Sequence, residues 1–156
     1  MTSMEFEVES TEVMNDLAGR VARQLQAGDV LELVGDVGTG KTTFTKALAA
    51  ALGVTETVQS PTFMISSVYD TSGGVQLAHY DFYRLNEPGV MRDELSEALA
   101  SDSTITVLEW ADVVADVLPA DRLTVYFDYL PDESARAVRL EAHGTRAEQT
   151  IEGLKA

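Results

Sequence analysis

With 156 residues, 45% of them hydrophobic, the chain can bury a real core and has the size of one domain, so residues 1–156 are expected to form a single unit. A net charge of −15, from 26 acidic against 11 basic side chains, argues against any protein that holds a nucleic-acid duplex or single strand by itself, because no basic stripe is present to neutralise phosphates. There is no cysteine, hence no disulfide or thiolate metal site; no apolar run reaches membrane length, and Met1-Thr2-Ser3-Met4-Glu5 is no leader, so a cytoplasmic protein without membrane contact is expected.

The segment Phe6-Glu7-Val8 reads as a short edge strand. Ser10 or Thr11 then caps a helix whose apolar face is Val13, Met14, Leu17, Val21 and Leu25. Residues 29–34 form an apolar-rich strand, and the helix of residues 44–52 ends at Gly53. Between them stands Gly35-Asp36-Val37-Gly38-Thr39-Gly40-Lys41-Thr42-Thr43, which satisfies G-x-x-x-x-G-K-[ST]. Strand, glycine loop and helix together aim successive backbone N–H groups at a polyphosphate on a helix N-terminus. In such a loop Lys41 pairs with the β- and γ-phosphates and the Thr42 hydroxyl ligates Mg²⁺. A nucleoside triphosphate site is expected.

Further along, Ser60-Pro61-Thr62-Phe63 is a stiff entry to a strand, whose hydroxyls suit either a γ-phosphate sensor or an ordinary strand start. Strands over 62–69 and 75–80 flank the turn signal Asp70-Thr71-Ser72-Gly73-Gly74. The second ends in His79-Tyr80-Asp81-Phe82-Tyr83-Arg84. Asp81 and Arg84 can there orient a water and stabilise phosphoryl charge, or form a surface pair worth little; His79 reads as structural. A helix is predicted over 88–99, starting at Pro88. Thr104-Ile105-Thr106-Val107-Leu108 is a β-branched buried strand, and a short helix follows to Leu118. Glu109 at that strand's end emerges on the edge where the phosphate loop lies and is placed to hold Mg²⁺ directly or through water. Trp110 beside it reads first as packing, with a partner contact or a base platform as the alternatives. Residues 122–128 and 135–142 pair as a hairpin around Pro131-Asp132, and a weakly amphipathic tail runs over 145–154. Helices between parallel strands, with hairpins added, predict an α/β fold, a three-layer αβα sandwich of the P-loop type on a mixed central sheet.

The ordered set of GDVGTGKTT, Ser60-Pro61-Thr62-Phe63, His79-Tyr80-Asp81-Phe82-Tyr83-Arg84-Leu85 and Glu109-Trp110 resembles the TsaE family, the P-loop ATPase component of bacterial threonylcarbamoyladenosine synthesis beside the tRNA anticodon. The resemblance implies ATP and Mg²⁺ as cofactors, slow ATP hydrolysis, and work in a complex with TsaB and TsaD. In that scheme TsaD carries the transferase chemistry, ATP turnover resets the complex, and tRNA is reached only through the partners. Catalytic roles fall on Lys41, Asp81 and Glu109, metal binding on Thr42 and Glu109, and nucleotide binding on Gly38, Thr39, Gly40, Lys41, Thr42 and Thr43. Thr11 and Arg136 are candidates for nucleoside contact. Two departures from the family pattern stand out: Ala111 follows Trp110 where a proline is common, and the first helix offers Thr11 and Met14 in place of a later threonine. A small-molecule kinase would share the loop, yet no Lys or Arg occurs between residues 47 and 83 to build a basic lid. A GTPase reading fails for want of an N-K-x-D motif, and a purely regulatory nucleotide module differs from an ATPase only in turnover.

Overall fold

Every residue of the strand Thr104–Glu109 is buried, the condition of a strand covered on both faces within a parallel sheet. The computed structural model describes residues 2–36, 38–56, 58, 66–83, 89 and 91–155. In chain order these form β1 (Ser3–Val8), α1 (Thr11–Gln24), β2 (Val30–Val34), α2 (Lys41–Ala51), β3 (Ser66–Asp70), β4 (Gln76–Asp81), α3 (Met91–Leu99), β5 (Thr104–Glu109), β6 (Arg122–Tyr129), β7 (Arg136–His143) and α4 (Thr145–Lys155). A 3-10 segment, Ala111–Val117, joins β5 to β6. The strands make one seven-stranded sheet in the order β1-β7-β6-β2-β5-β4-β3. β2 runs parallel to β5 and β6, and β4 parallel to β5; the β3–β4, β6–β7 and β1–β7 pairs are antiparallel. The sheet is mixed, and both expected hairpins form.

Alternation along the strands creates two cores. Leu31, Leu33, Val107, Val125 and Phe127 pack with apolar residues of α1, α2 and α4. Val30, Ala78, Tyr80 and Leu108 pack with Leu95 of α3 and with Ala111 and Val114 of the 3-10 segment. The result is the predicted three-layer α/β arrangement. Phe44, one turn into α2, meets Phe127 of β6 edge to face with centroids 5.5 Å apart, a geometry worth about 0.5–1.5 kcal/mol beyond its buried area. That contact fixes the helix that follows the glycine loop against the sheet. Among the described residues no helix is long and apolar enough to cross a membrane.

Several local expectations change. Ser10, and not Thr11, is the N-cap of α1: its backbone is extended and its Oγ accepts from the Val13 N–H at 3.2 Å. Val13 is not on the core face but 39% exposed. The buried stripe is Met14, Leu17, Ala18, Val21 and Ala22, and α1 packs against α2 with Val13 off that stripe. The short helix expected to run to Leu118 is 3-10, broken at Val114 (φ −118°, ψ 21°). Its β-branched Val113, Val114 and Val117 disfavour a regular α-helix. The tail expected to be only weakly amphipathic is α4, firmly docked. Asp121 accepts from the N–H groups of Arg146 (2.9 Å) and Ala147 (3.0 Å) at its start, and Arg146 grips both oxygens of Asp29 at 3.0 Å. The predicted helix start at Pro88 and the strand residues 62–65 lie outside the described residues; α3 is described from Met91 and β3 from Ser66.

Candidate nucleotide site

The strand β2 ends at Val34, and the chain must then turn past β6. A Cβ on Gly35 would lie 2.7 Å from the Phe127 carbonyl oxygen, so only glycine fits that exit. Gly40, the N-cap of α2, is left-handed (φ 112°), and a Cβ there would also strike Met14 at 2.9 Å. Thr39 ties the loop to itself, its Oγ1 donating to the Asp36 carbonyl at 2.7 Å. The first turn of α2 therefore begins at Lys41, with Thr42 and Thr43 following.

The Lys41 side chain folds back over this loop. It is 6% exposed, its Nζ donates to the Gly35 carbonyl, and the ammonium lies 4.1 Å from the centre of the Trp110 ring. Burial holds its pKa below the ordinary lysine value, opposed by the negative charges of Glu109, Asp81 and Asp36. The parallel pairing of β4 with β5 sets Asp81 directly opposite Glu109. The Asp81 Oδ1 accepts from the Tyr83 N–H at 3.0 Å. Burial raises its carboxyl pKa; the Tyr83 N–H opposes this, Glu109 adds to it, and His79 and Lys41 oppose it. Glu109 is 2% exposed, and its Oε2 is held at 2.5 Å by Nε2 of His79.

Gly38, Gly40, Lys41, Thr42, Thr43, Asp81, Tyr83, Glu109 and Trp110 thus line one cleft of about 330 Å³. On the other side of the glycine loop lies a smaller hollow of about 140 Å³, bounded by Thr11, Met14, Gly38, Thr39, Gly40, Thr43 and Arg136. Arg136 reaches back to the loop, its Nη2 3.4 Å from the Gly38 carbonyl and its guanidinium 4.8 Å from the Tyr129 ring. Each candidate site residue among the described residues therefore borders one of two adjoining spaces. Ser60-Pro61-Thr62-Phe63 and Arg84 lie outside the described residues.

Two features escape the sequence reading. Trp110 is more than packing: it is left-handed (φ 55°, ψ 45°), a conformation costing an aromatic residue roughly 1–3 kcal/mol. The Tyr83 ring, 5.0 Å away, and the Lys41 ammonium hold it there as a wall of the cleft. The other feature is the His79–Glu109 contact. The only local signal for either was proximity in sequence to Asp81 and Glu109.

The donors suit Mg²⁺. Thr42 and Glu109 offer hard oxygen ligands, and among the described residues no cluster of three or more His, Cys, Asp or Glu exists to make an all-protein metal cage. Few protein ligands completed by phosphate and water is the manner in which Mg²⁺ is usually held.

Residues 8–138 match the family model described as threonylcarbamoyl adenosine biosynthesis protein TsaE. The chain belongs to the TsaE family. It is 37% identical over 127 residues to the tRNA threonylcarbamoyladenosine biosynthesis protein TsaE of Streptomyces coelicolor, covering 81% of this chain and 86% of that protein. To TsaE of Bacillus subtilis it is 36% identical, covering 99% and 95% of the two chains. The crystal structure of Bacillus subtilis YdiB superposes with a TM-score of 0.84 at 32% identity, over 99% of this chain and 95% of that one. The P-loop α/β fold of this TsaE-family member agrees with that neighbour, and the named relatives place the family in tRNA threonylcarbamoyladenosine biosynthesis.

Proposed function

We propose that the chain is a Mg²⁺-dependent ATP-binding protein with slow ATPase activity, serving threonylcarbamoyladenosine modification of tRNA in a complex with TsaB and TsaD. The observation that carries this reading is the convergence of Lys41, Thr42, Asp81 and Glu109 on one cleft beside the glycine loop. Backbone N–H groups of residues 38–43 and the Lys41 ammonium bind the phosphates, a disposition that stabilises the charge shifted toward the leaving oxygens. Thr42 and Glu109 would hold Mg²⁺, which when bound would neutralise charge on the phosphates. Asp81, its carboxyl made more basic by burial, orients the attacking water and accepts its proton. Thr11 and Arg136 contact the nucleoside from the smaller hollow. A cytoplasmic place of work goes with this reading.

Thr42→Ala and Glu109→Ala should each weaken Mg²⁺-supported ATP binding by about 1.5–3 kcal/mol, the scale of a lost contact to a charged partner. The double variant should lose less than the sum, since both residues serve one ion. Calorimetry of all four proteins at fixed Mg²⁺ checks this, and strictly additive losses would assign the two residues to separate places.

The partner half of the proposal rests on charge as well as kinship. With net charge −15 and lysines only at 41, 46 and 155, the isolated chain should show negligible tRNA affinity at physiological salt. Binding to TsaB and TsaD should require ATP, with nucleotide favouring the docking-competent state. Pull-downs with ATP, ADP and no nucleotide, beside a gel shift with tRNA and ATP turnover with and without the partners, test it. Tight tRNA binding by the chain alone, or capture by the partners regardless of nucleotide, would sink the assignment.

A further inference from the structure

We infer that His79 is a positioning residue for Glu109, fixing that carboxylate as a metal ligand without itself touching nucleotide or metal. The inference rests on the reading of Glu109 given above and deepens it. His79 lies two residues before Asp81 on β4, paired with Val107 just as Asp81 is paired with Glu109. It is therefore the diagonal neighbour of Glu109 across the two strands, on the same face of the sheet. The imidazole is 1% exposed and is not among the residues lining the cleft. It reaches the site only through its Nε2, 2.5 Å from the Glu109 Oε2, so that Oε1 is the Glu109 oxygen not engaged by the imidazole.

The other ring nitrogen argues against mere packing. Nδ1 is buried and has no hydrogen-bond partner among the described residues, a condition that costs stability and that a leucine or methionine of similar bulk would avoid. What a histidine supplies here, and an apolar side chain cannot, is an N–H aimed at a buried carboxylate. Groups that orient a metal-binding residue in this way commonly alter metal affinity or activity 10- to 100-fold when removed.

Glutamine and methionine have nearly the same shape, but only glutamine carries an N–H at its end, so His79→Gln and His79→Met separate donor from bulk. The expected result is a Mg²⁺ requirement for ATP binding close to wild type in His79→Gln and raised roughly 10- to 100-fold in His79→Met. Affinity for ADP in EDTA should be alike in all three proteins. Wild-type ATP binding indifferent to Mg²⁺ would overturn the metal reading itself, whatever His79 does. Mg²⁺-dependent wild-type binding with an unshifted His79→Met, or with His79→Gln as impaired as His79→Met, would overturn the positioning role alone. Should His79→Met fail to fold, ¹⁵N NMR of the wild-type imidazole decides: a proton on Nε2 supports the role, and a proton on Nδ1 alone overturns it.

Discussion

Replacing Lys41 with alanine should weaken ATP binding roughly 10- to 150-fold, the loss of a charge-assisted contact of about 1.5–3 kcal/mol, while leaving the chain folded. The ammonium sits at the loop it would serve, between the Gly35 carbonyl and the Trp110 ring. Its removal forfeits a cation–π contact of about 0.5–2 kcal/mol. Against that loss, burial disfavours the charged ammonium, and the substitution removes this desolvation cost. The two effects oppose one another, and a domain of ordinary stability, about 5–15 kcal/mol, survives the difference. Helix α2 keeps its other anchors, since Phe44 and Leu48 remain fully buried in the core. Calorimetry with ATP gives the affinity and circular dichroism the fold; unchanged affinity in a folded variant would remove Lys41 from the phosphate site.

Asp81→Asn should leave ATP binding nearly intact while single-turnover hydrolysis falls by about 100- to 10,000-fold, the range of a lost general base. The substitution is chosen for what it preserves. Asparagine keeps an Oδ1 to accept the Tyr83 N–H, so the turn leaving β4 persists, and it removes only the negative charge and the proton-accepting power. Parallel losses of binding and hydrolysis would instead assign Asp81 to the metal or to the structure of the turn. Measuring both constants on one preparation, with TsaB and TsaD present, separates these outcomes.

Much of this protein is legible along its sequence because its signals are local. The loop from Gly35 to Thr43 combines glycines, a lysine and hydroxyls at fixed spacing, and its neighbours carry the periods of a strand and a helix. Both hairpins are announced by turn residues, and the buried run Thr104–Glu109 by its β-branched composition. From these the fold class and most candidate site residues follow. Helix character was less secure where propensity and packing disagreed, as in the 3-10 segment Ala111–Val117 and at Val13, whose exposure depends on how α1 lies against α2.

What sequence period cannot encode is which strands become neighbours. Asp81 meets Glu109 because β4 lies next to β5 in the order β1-β7-β6-β2-β5-β4-β3. The same adjacency delivers His79 to Glu109 across 30 residues of chain, and the placing of β6 beside β2 and of β7 beside β6 returns Arg136 to Gly38 across 98. Trp110 reads as packing from its sequence, yet becomes the wall over Lys41 once the chain turns left-handed at the end of β5. The glycine loop was thus fixed by residues adjacent in the chain, each with its own conformational preference. The acids, the histidine and the aromatic wall were assembled by sheet order and burial, which act between segments that are strangers in sequence.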